Sequence, residues 1–368
     1  MKIAIDLTSL NDNFSGLERY ALNISLNLIK QDLENEYILI FKNEVFRDFV
    51  KIGDNNNIKY IVVKGKNKLI FNQMRLPLEL FKIKADKYLF LAFPSPIIFR
   101  KKGIINTVHD LTAFLFPETM KKSSMIYFKN SIINAMRISD CIITVSNSSK
   151  KDILKKFNPK EISVINNGIS DVFQNFNFNE ELNIRIKEKY SLGEDYILCL
   201  GTLEPRKNLE LLLKAYSELK KEGITKEKLI IVGRNGWKFE NILKELQMED
   251  IQKDIIFTGF VEDEYLPYIY HNSKVFVFPS VYEGFGIPPI EAMYMETKVI
   301  CSDIDVLKEV CGDEIIYFKS CDLCDLKNKL GLALKNSEYN FKATKERASE
   351  FKWNKEAKKL LNLLHKEN

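Results

Sequence analysis

No stretch of this chain approaches the ~18–20 consecutive apolar residues that a membrane-spanning helix requires. The opening residues, Met1-Lys2-Ile3-Ala4-Ile5-Asp6, run straight into a strand pattern without the apolar region and cleavage site of a signal peptide. Both absences predict a cytoplasmic protein, in which Asn23-Ile24-Ser25 and Asn147-Ser148-Ser149 are not glycosylated. The six cysteines are scattered: Cys141, Cys199 and Cys301 fall in or beside apolar runs, as buried thiols do. Cys321-Asp322-Leu323-Cys324 has metal-ligand spacing, but no second pair follows it. A basic stripe interleaved with aromatics is missing, and a net charge of +5 is modest, so nucleic acid is not expected as a partner.

What is present suits two α/β domains: 368 residues, 45% hydrophobic and 29% charged. In the first half, strands are predicted over Lys2–Leu7, Tyr37–Phe41, Ile58–Val63, Ile104–Val108, Cys141–Val145 and Ile162–Ile165, with helices over Gly16–Lys30 and Lys129–Ile138. A second set follows at Tyr196–Leu200, Lys228–Val232, Ile255–Phe257, Val275–Phe278, Lys298–Cys301 and Ile315–Tyr317, with helices including Leu209–Glu222 and Asn241–Leu246. Strands alternating with helices argue two doubly wound parallel sheets. The domains are placed at 1–175 and 195–342, joined by a polar linker at 176–194. The tail, Ala343–Lys366, reads as one helix with Trp353, Ala357, Leu360, Leu361 and Leu364 at helical spacing.

Charge is uneven. Residues 1–190 hold 29 Lys and Arg against 20 Asp and Glu, whereas the remainder holds 26 against 30. Lys150, Lys151, Lys155 and Lys156 accompany Ile153, Leu154 and Phe157 in an amphipathic pattern. A surface of that kind can dock on anionic lipid headgroups, and it equally fits a plain solvated helix face.

The most informative segment is Pro279-Ser280-Val281-Tyr282-Glu283-Gly284-Phe285-Gly286-Ile287-Pro288-Pro289-Ile290-Glu291-Ala292-Met293, directly after the Val275–Phe278 strand. The order strand, glycine-bearing loop, helix start makes a concave site that suits phosphate. Glu283 is read into the loop and Glu291 into the first helical turn, where both carboxylates can accept from sugar hydroxyls. Another cationic strand end is Gly201-Thr202-Leu203-Glu204-Pro205-Arg206-Lys207-Asn208, whose Arg206 fork and Lys207 point charge match a diphosphate. Gly16, after the first strand, permits close backbone approach, although Ser15 alone also reads as a helix cap. His109-Asp110 closes a strand, and Val232-Gly233-Arg234 and Thr258-Gly259-Phe260-Val261 close two more.

Glu283-Gly284-Phe285-Gly286 with Glu291-Ala292-Met293 resembles the E-x7-E signature of the family-4 retaining glycosyltransferases, whose fold is GT-B: two Rossmann-like domains facing across a cleft. The likeness is strong over about 195–315 and looser before it; Ser15-Gly16 stands where the family usually has two glycines. The resemblance implies a nucleotide-sugar donor with Arg206 and Lys207 on its diphosphate, Glu291 on the ribose, and Glu283 and His109 beside the donor sugar. The backbone of Gly284, Phe285 and Gly286 would reach sugar or phosphate, and Gly16, Gly233 and Gly259 would complete the donor site. It further implies a last segment, 343–368, packed back on the N-terminal domain. Acceptors of the resembled bacterial enzymes are often lipid-linked saccharides of surface polysaccharide, lipopolysaccharide included, so a peripheral position at the inner membrane face is expected. GDP-mannose is the donor named. No metal or other cofactor is expected: the Asp303-Ile304-Asp305 string falls inside a segment the likeness already explains. Two alternatives stand beside this reading, a nucleotide-sugar epimerase of the same fold and a non-catalytic sugar-nucleotide-binding protein.

Overall fold

The computed structural model describes every residue except 12–15, 53–56, 67–69, 235–250, 337 and 367–368. The chain divides into two compact units. Unit 1 comprises Met1–Leu115, Lys122–Gly168 and Phe351–Asn368; unit 2 comprises Phe116–Lys121 and Ile169–Glu350.

Among the described residues, unit 1 is built on seven parallel strands: β1 Lys2–Asp6, β2 Glu36–Lys42, β3 Ile58–Val63, β4 Lys87–Phe90, β5 Ile104–Thr107, β6 Cys141–Thr144 and β7 Ile162–Val164. Their order across the sheet is β3-β2-β1-β4-β5-β6-β7. β4, which lies in an apolar run between Asp86 and Pro94, is the one strand missing from the sequence reading. It pairs with β1 through Ile3↔Lys87 to Asp6↔Phe90 and completes the centre of the sheet. Helix Gly16–Gln31 turns Tyr20, Ala21, Ile24, Leu28 and Ile29 inward, the i, i+4 stripe expected of a half-buried helix.

Unit 2 repeats the plan with β8 Tyr196–Leu200, β9 Lys228–Val232, β10 Ile255–Gly259, β11 Ser273–Phe278, β12 Lys298–Ser302 and β13 Ile316–Phe318, in the order β10-β9-β8-β11-β12-β13, again all parallel among the described residues. Tyr196, Ile197, Val275, Phe276 and Val277 are wholly buried, as strands covered on both faces must be. Leu209, Leu212, Tyr216 and Leu219 of helix Leu209–Lys221 share their core with Leu326 and Leu330 of helix Leu323–Lys335. The predicted helix at Asn241–Leu246 lies outside the described residues.

Two boundaries differ from expectation. The segment read as a linker, 176–194, contains helix Glu180–Tyr190 within unit 2. Asn179 caps it by accepting from the Leu182 N–H at 2.9 Å, Ile186 and Tyr190 are buried one turn apart, and the Tyr190 hydroxyl donates to Glu262 at 2.6 Å. Its apolar stripe is too narrow to stand out in so polar a stretch. The tail is likewise two helices, Phe341–Ala348 in unit 2 and Trp353–Leu364 in unit 1, because the chain passes from one unit to the other between them. Trp353 meets Tyr20 edge-on at 5.8 Å, and the buried Glu356 carboxylate accepts the Asn166 N–H at 2.8 Å. The second helix therefore packs along Gly16–Gln31.

Candidate functional site

In each unit the strand order reverses direction next to the first strand, between β1 and β4 and between β8 and β11. In open α/β sheets the crevice at the carboxyl ends of such a pair is where ligands bind. In unit 2 the two loops at that point carry the motifs found in the sequence.

After β8 the chain makes a short 3-10 turn, Pro205–Lys207, and Asn208 takes a left-handed φ of 50° before helix Leu209–Lys221 begins. After β11 comes the loop with Tyr282 and Glu283. The Val281 N–H donates to the Arg206 carbonyl at 3.0 Å and fastens the two loops together. The side chains then converge. Arg206 donates to Glu283 Oε2 at 2.8 Å, to the Tyr282 carbonyl at 2.6 Å and to Glu204 at 2.7 Å. Lys207 donates to the other Glu283 oxygen at 2.5 Å and stands over the Phe278 ring at 4.9 Å. Arg206, Lys207 and Glu283 side chains are only 13%, 17% and 9% exposed. Burial by itself would raise the Glu283 carboxyl; the charges of Arg206 and Lys207, with their hydrogen bonds, outweigh it and hold the group at about 2.

Neighbouring strand ends are closely fitted. The Gly201 N–H donates to Val232 and the Gly233 N–H to Gly259, at 2.9 and 3.0 Å. A Cβ on Gly233 would fall 1.9 Å from the Gly201 carbonyl oxygen, so only glycine lets β9 end there. Arg234 lies over the Phe260 ring at 4.5 Å.

Gly286, at φ 101°, caps helix Ile287–Tyr294. This cap puts Pro288 and Pro289 into the first turn and Glu291 into the second, one turn later than the sequence suggested. Prolines carry no N–H, so backbone donors at this end come from Ile287 and the loop before it. Phe285 is buried, and Glu291 is 2% exposed with the buried Tyr270 hydroxyl donating to it at 3.0 Å. Of the Asp-x-Asp string, Asp303 accepts the Ser320 N–H at 2.8 Å, while Asp305 opens helix Asp305–Cys311.

The other predicted residues belong to unit 1. Gly16 is the first residue of its helix and is exposed; Ser15 lies outside the described residues. Half-buried His109 follows β5, with its ring edge-on to Tyr20 at 5.0 Å and Nε2 2.9 Å from the Leu91 carbonyl. A carbonyl oxygen only accepts, so Nε2 carries the proton and Nδ1 is left as an acceptor. Burial lowers the imidazole's affinity for a second proton and keeps the ring neutral. At the β1/β4 switch point of this unit lies a cavity of about 740 Å³, with Asp6, Thr8, Asn11, Arg47, Gln73 and Tyr127 in its wall. Burial raises the Asp6 carboxyl, although the Thr8 hydroxyl and N–H both donate to it, at 2.7 and 3.0 Å.

Sequence reasoning missed three partners of this machinery: Glu204, Phe278 and Tyr270. Glu204 stands two residues before Arg206 and was legible as a counter-charge, whereas Phe278 and Tyr270 read only as core aromatics. Helix Asn147–Lys156, predicted to present an apolar face beside its lysines, turns Ile153 fully into the core and sets Phe157 against Phe114 at 5.3 Å.

Comparison with known proteins assigns a family to each half of the chain. Residues 14–172 match the family described as Glycosyltransferase Family 4, and residues 180–351 match Glycosyl transferases group 1. The chain is 26% identical over 369 residues to an O-antigen chain mannosyltransferase B of Escherichia coli, covering 96% of each. It is 33% identical over 221 residues to the O-antigen chain mannosyltransferase RfbU of Salmonella typhimurium, which is 59% of this chain and 56% of that protein. The crystal structure of HepE from Anabaena in complex with UDP and glucose superposes with a TM-score of 0.74 at 15% identity, over 99% of each chain. With two doubly wound parallel units, the cation–carboxylate cluster at the switch point of the second, and one family match over each half, the chain belongs to the glycosyltransferases of GT-B fold.

Proposed function

We propose that this enzyme transfers mannose, with retention at the anomeric carbon, from GDP-mannose to a lipid-linked saccharide of surface polysaccharide. The observation that carries the reading is the Arg206–Lys207–Glu283 cluster: two cations of low exposure that share one buried carboxylate at the β8/β11 switch point. As the bond between sugar and diphosphate breaks, negative charge builds on the departing oxygen. Fixed cations in a site of low exposure stabilise that charge with no reorganisation, and no metal is needed for it. Glu283 positions both cations. Glu291, oriented by Tyr270, accepts from the ribose hydroxyls, and the backbone of Gly284, Phe285 and Gly286 with Gly233 and Gly259 frames the nucleotide. In unit 1, His109 offers Nδ1 to a sugar hydroxyl, Gly16 lets the backbone approach, and the cavity at the β1/β4 switch point takes the acceptor saccharide. The choice of mannose rests on the names of the two mannosyltransferase relatives.

The test is a panel of GDP- and UDP-sugars read by thermal shift, followed by nucleoside diphosphate release and NMR of the product's anomeric carbon. A GDP-mannose at one hundred times its Kd should stabilise the protein by about 2.7 kcal/mol. A preference for another nucleotide-sugar would replace the donor. Conversion of the donor to an isomer without transfer would replace the reaction with epimerisation.

A further inference from the structure

The segment Ile70–Lys82 is a π-turn, Phe71–Arg75, continued by an α-helix, Leu76–Lys82. Its two faces differ. Asn72, Gln73 and Leu76 line the large unit 1 cavity. Opposite them Ile70, Met74, Leu78 and Phe81 follow one another every three or four residues and stand 52%, 61%, 62% and 45% exposed. A globular helix normally buries such a stripe. Ile98, 56% exposed, extends it: the Ile97 N–H donates to Gln73 at 3.1 Å, the Phe99 ring meets Phe81 at 5.3 Å, and the Lys101 ammonium donates to the Phe81 and Ile83 carbonyls at 3.1 and 2.6 Å. The stripe is therefore a built surface, with its last helical carbonyls satisfied.

Its surroundings are cationic. The described residues of 64–84 include five Lys and Arg (Lys64, Lys66, Arg75, Lys82 and Lys84) against one acid, Glu79, which is itself paired with Lys82 at 2.9 Å. At the stripe's first turn Lys64, Lys66 and Arg75 share with Ile70 and Phe71 the wall of a second cavity, of about 400 Å³. A hollow of three cations beside an apolar row of four complements a phosphate headgroup beside acyl chains. We propose that this face seats unit 1 on an anionic lipid bilayer. The same helix then lines the acceptor cavity with one side and meets lipid with the other, which brings that cavity to the membrane surface. This deepens the reading of a lipid-linked acceptor and rests on it. It also moves the docking surface away from the lysine-rich helix Asn147–Lys156, whose apolar residues other than Leu154 face inward.

The experiment is cosedimentation of the full chain with vesicles of phosphatidylcholine, with and without phosphatidylglycerol. Wild-type protein should bind the anionic vesicles, and Met74→Gln with Leu78→Gln should weaken binding at least tenfold. Both sites are more than half exposed, so circular dichroism and the melting temperature should stay unchanged. Arg75→Gln should weaken binding in a salt-dependent way, and Lys150→Ala with Lys151→Ala should leave it intact. Wild-type protein remaining in the supernatant would overturn both this proposal and the membrane-bound acceptor, while turnover on a soluble saccharide would still uphold the transferase. Undiminished binding by the folded Met74/Leu78 variant would overturn the assigned face alone.

Discussion

Replacing Glu283 by Gln keeps the shape of the side chain and removes the one charge shared by Arg206 and Lys207. The carboxyl is shifted from its ordinary value of 4.5 to about 2. At 1.36 kcal/mol per pKa unit, that is about 3 kcal/mol of stability for the ionised form. A depressed carboxylate gives stability that is fully present above its unfolded pKa, near 4.5, and is lost as pH falls through the folded value near 2. Gln resembles the protonated acid, so wild type should exceed Glu283→Gln by about 3 kcal/mol at pH 7 and by clearly less, on the order of 1 kcal/mol, at pH 3. The neutral-pH figure agrees with the ~3–5 kcal/mol typical of breaking a buried ion pair from one side. The assay is urea unfolding of both proteins at the two pH values, following the transition of unit 2. In the variant, Arg206 and Lys207 are left short of negative charge, so GDP should stabilise it more than it stabilises wild type. An equal stability difference at both pH values, or a difference under ~1 kcal/mol at pH 7, would refute the claim that Glu283 holds the cations by charge.

Other outcomes follow from the same geometry. Lys207→Ala should lower kcat by about a hundred- to a thousandfold while changing GDP affinity far less, because charge on the leaving group grows only in the transition state; near-normal turnover would remove Lys207 from that role. Tyr270→Phe deletes the hydroxyl that holds Glu291 at 3.0 Å and should weaken donor binding by about 1.5–3 kcal/mol, as should Glu291→Ala, with the double variant less than additive. Isothermal titration with GDP-mannose checks it, and unchanged dissociation constants would take both residues out of the nucleotide site. Turnover should persist in excess chelator, and loss of activity restored by manganese would show that the cation pair does not act alone.

Local pattern was enough to place twelve of the thirteen strands described in the two sheets, because parallel strands covered on both faces read as continuous apolar runs. The placement of the candidate residues was legible for the same local reason: Glu283, Gly284, Phe285 and Gly286 follow a strand end, as do Arg206 and Lys207. β4 was not read as a strand, although Asp86 and Pro94 bracket its apolar run at 88–93; helix Glu180–Tyr190 escaped because three buried side chains, Asn183, Ile186 and Tyr190, carry it amid charge.

What sequence could not determine is everything that depends on pairing across the fold. Arg206 and Glu283 are 77 positions apart, and only the β8-β11 adjacency makes them partners. The same holds for Tyr270 with Glu291 and for Trp353 with Tyr20. It also decided which amphipathic helix is exposed: two segments carry lysines beside apolar residues, but neighbours bury Ile153 and leave Met74 and Leu78 outside. Periodicity records that a helix has an apolar face. Whether that face is covered depends on which elements the sheet order brings beside it, and those lie far away in the chain.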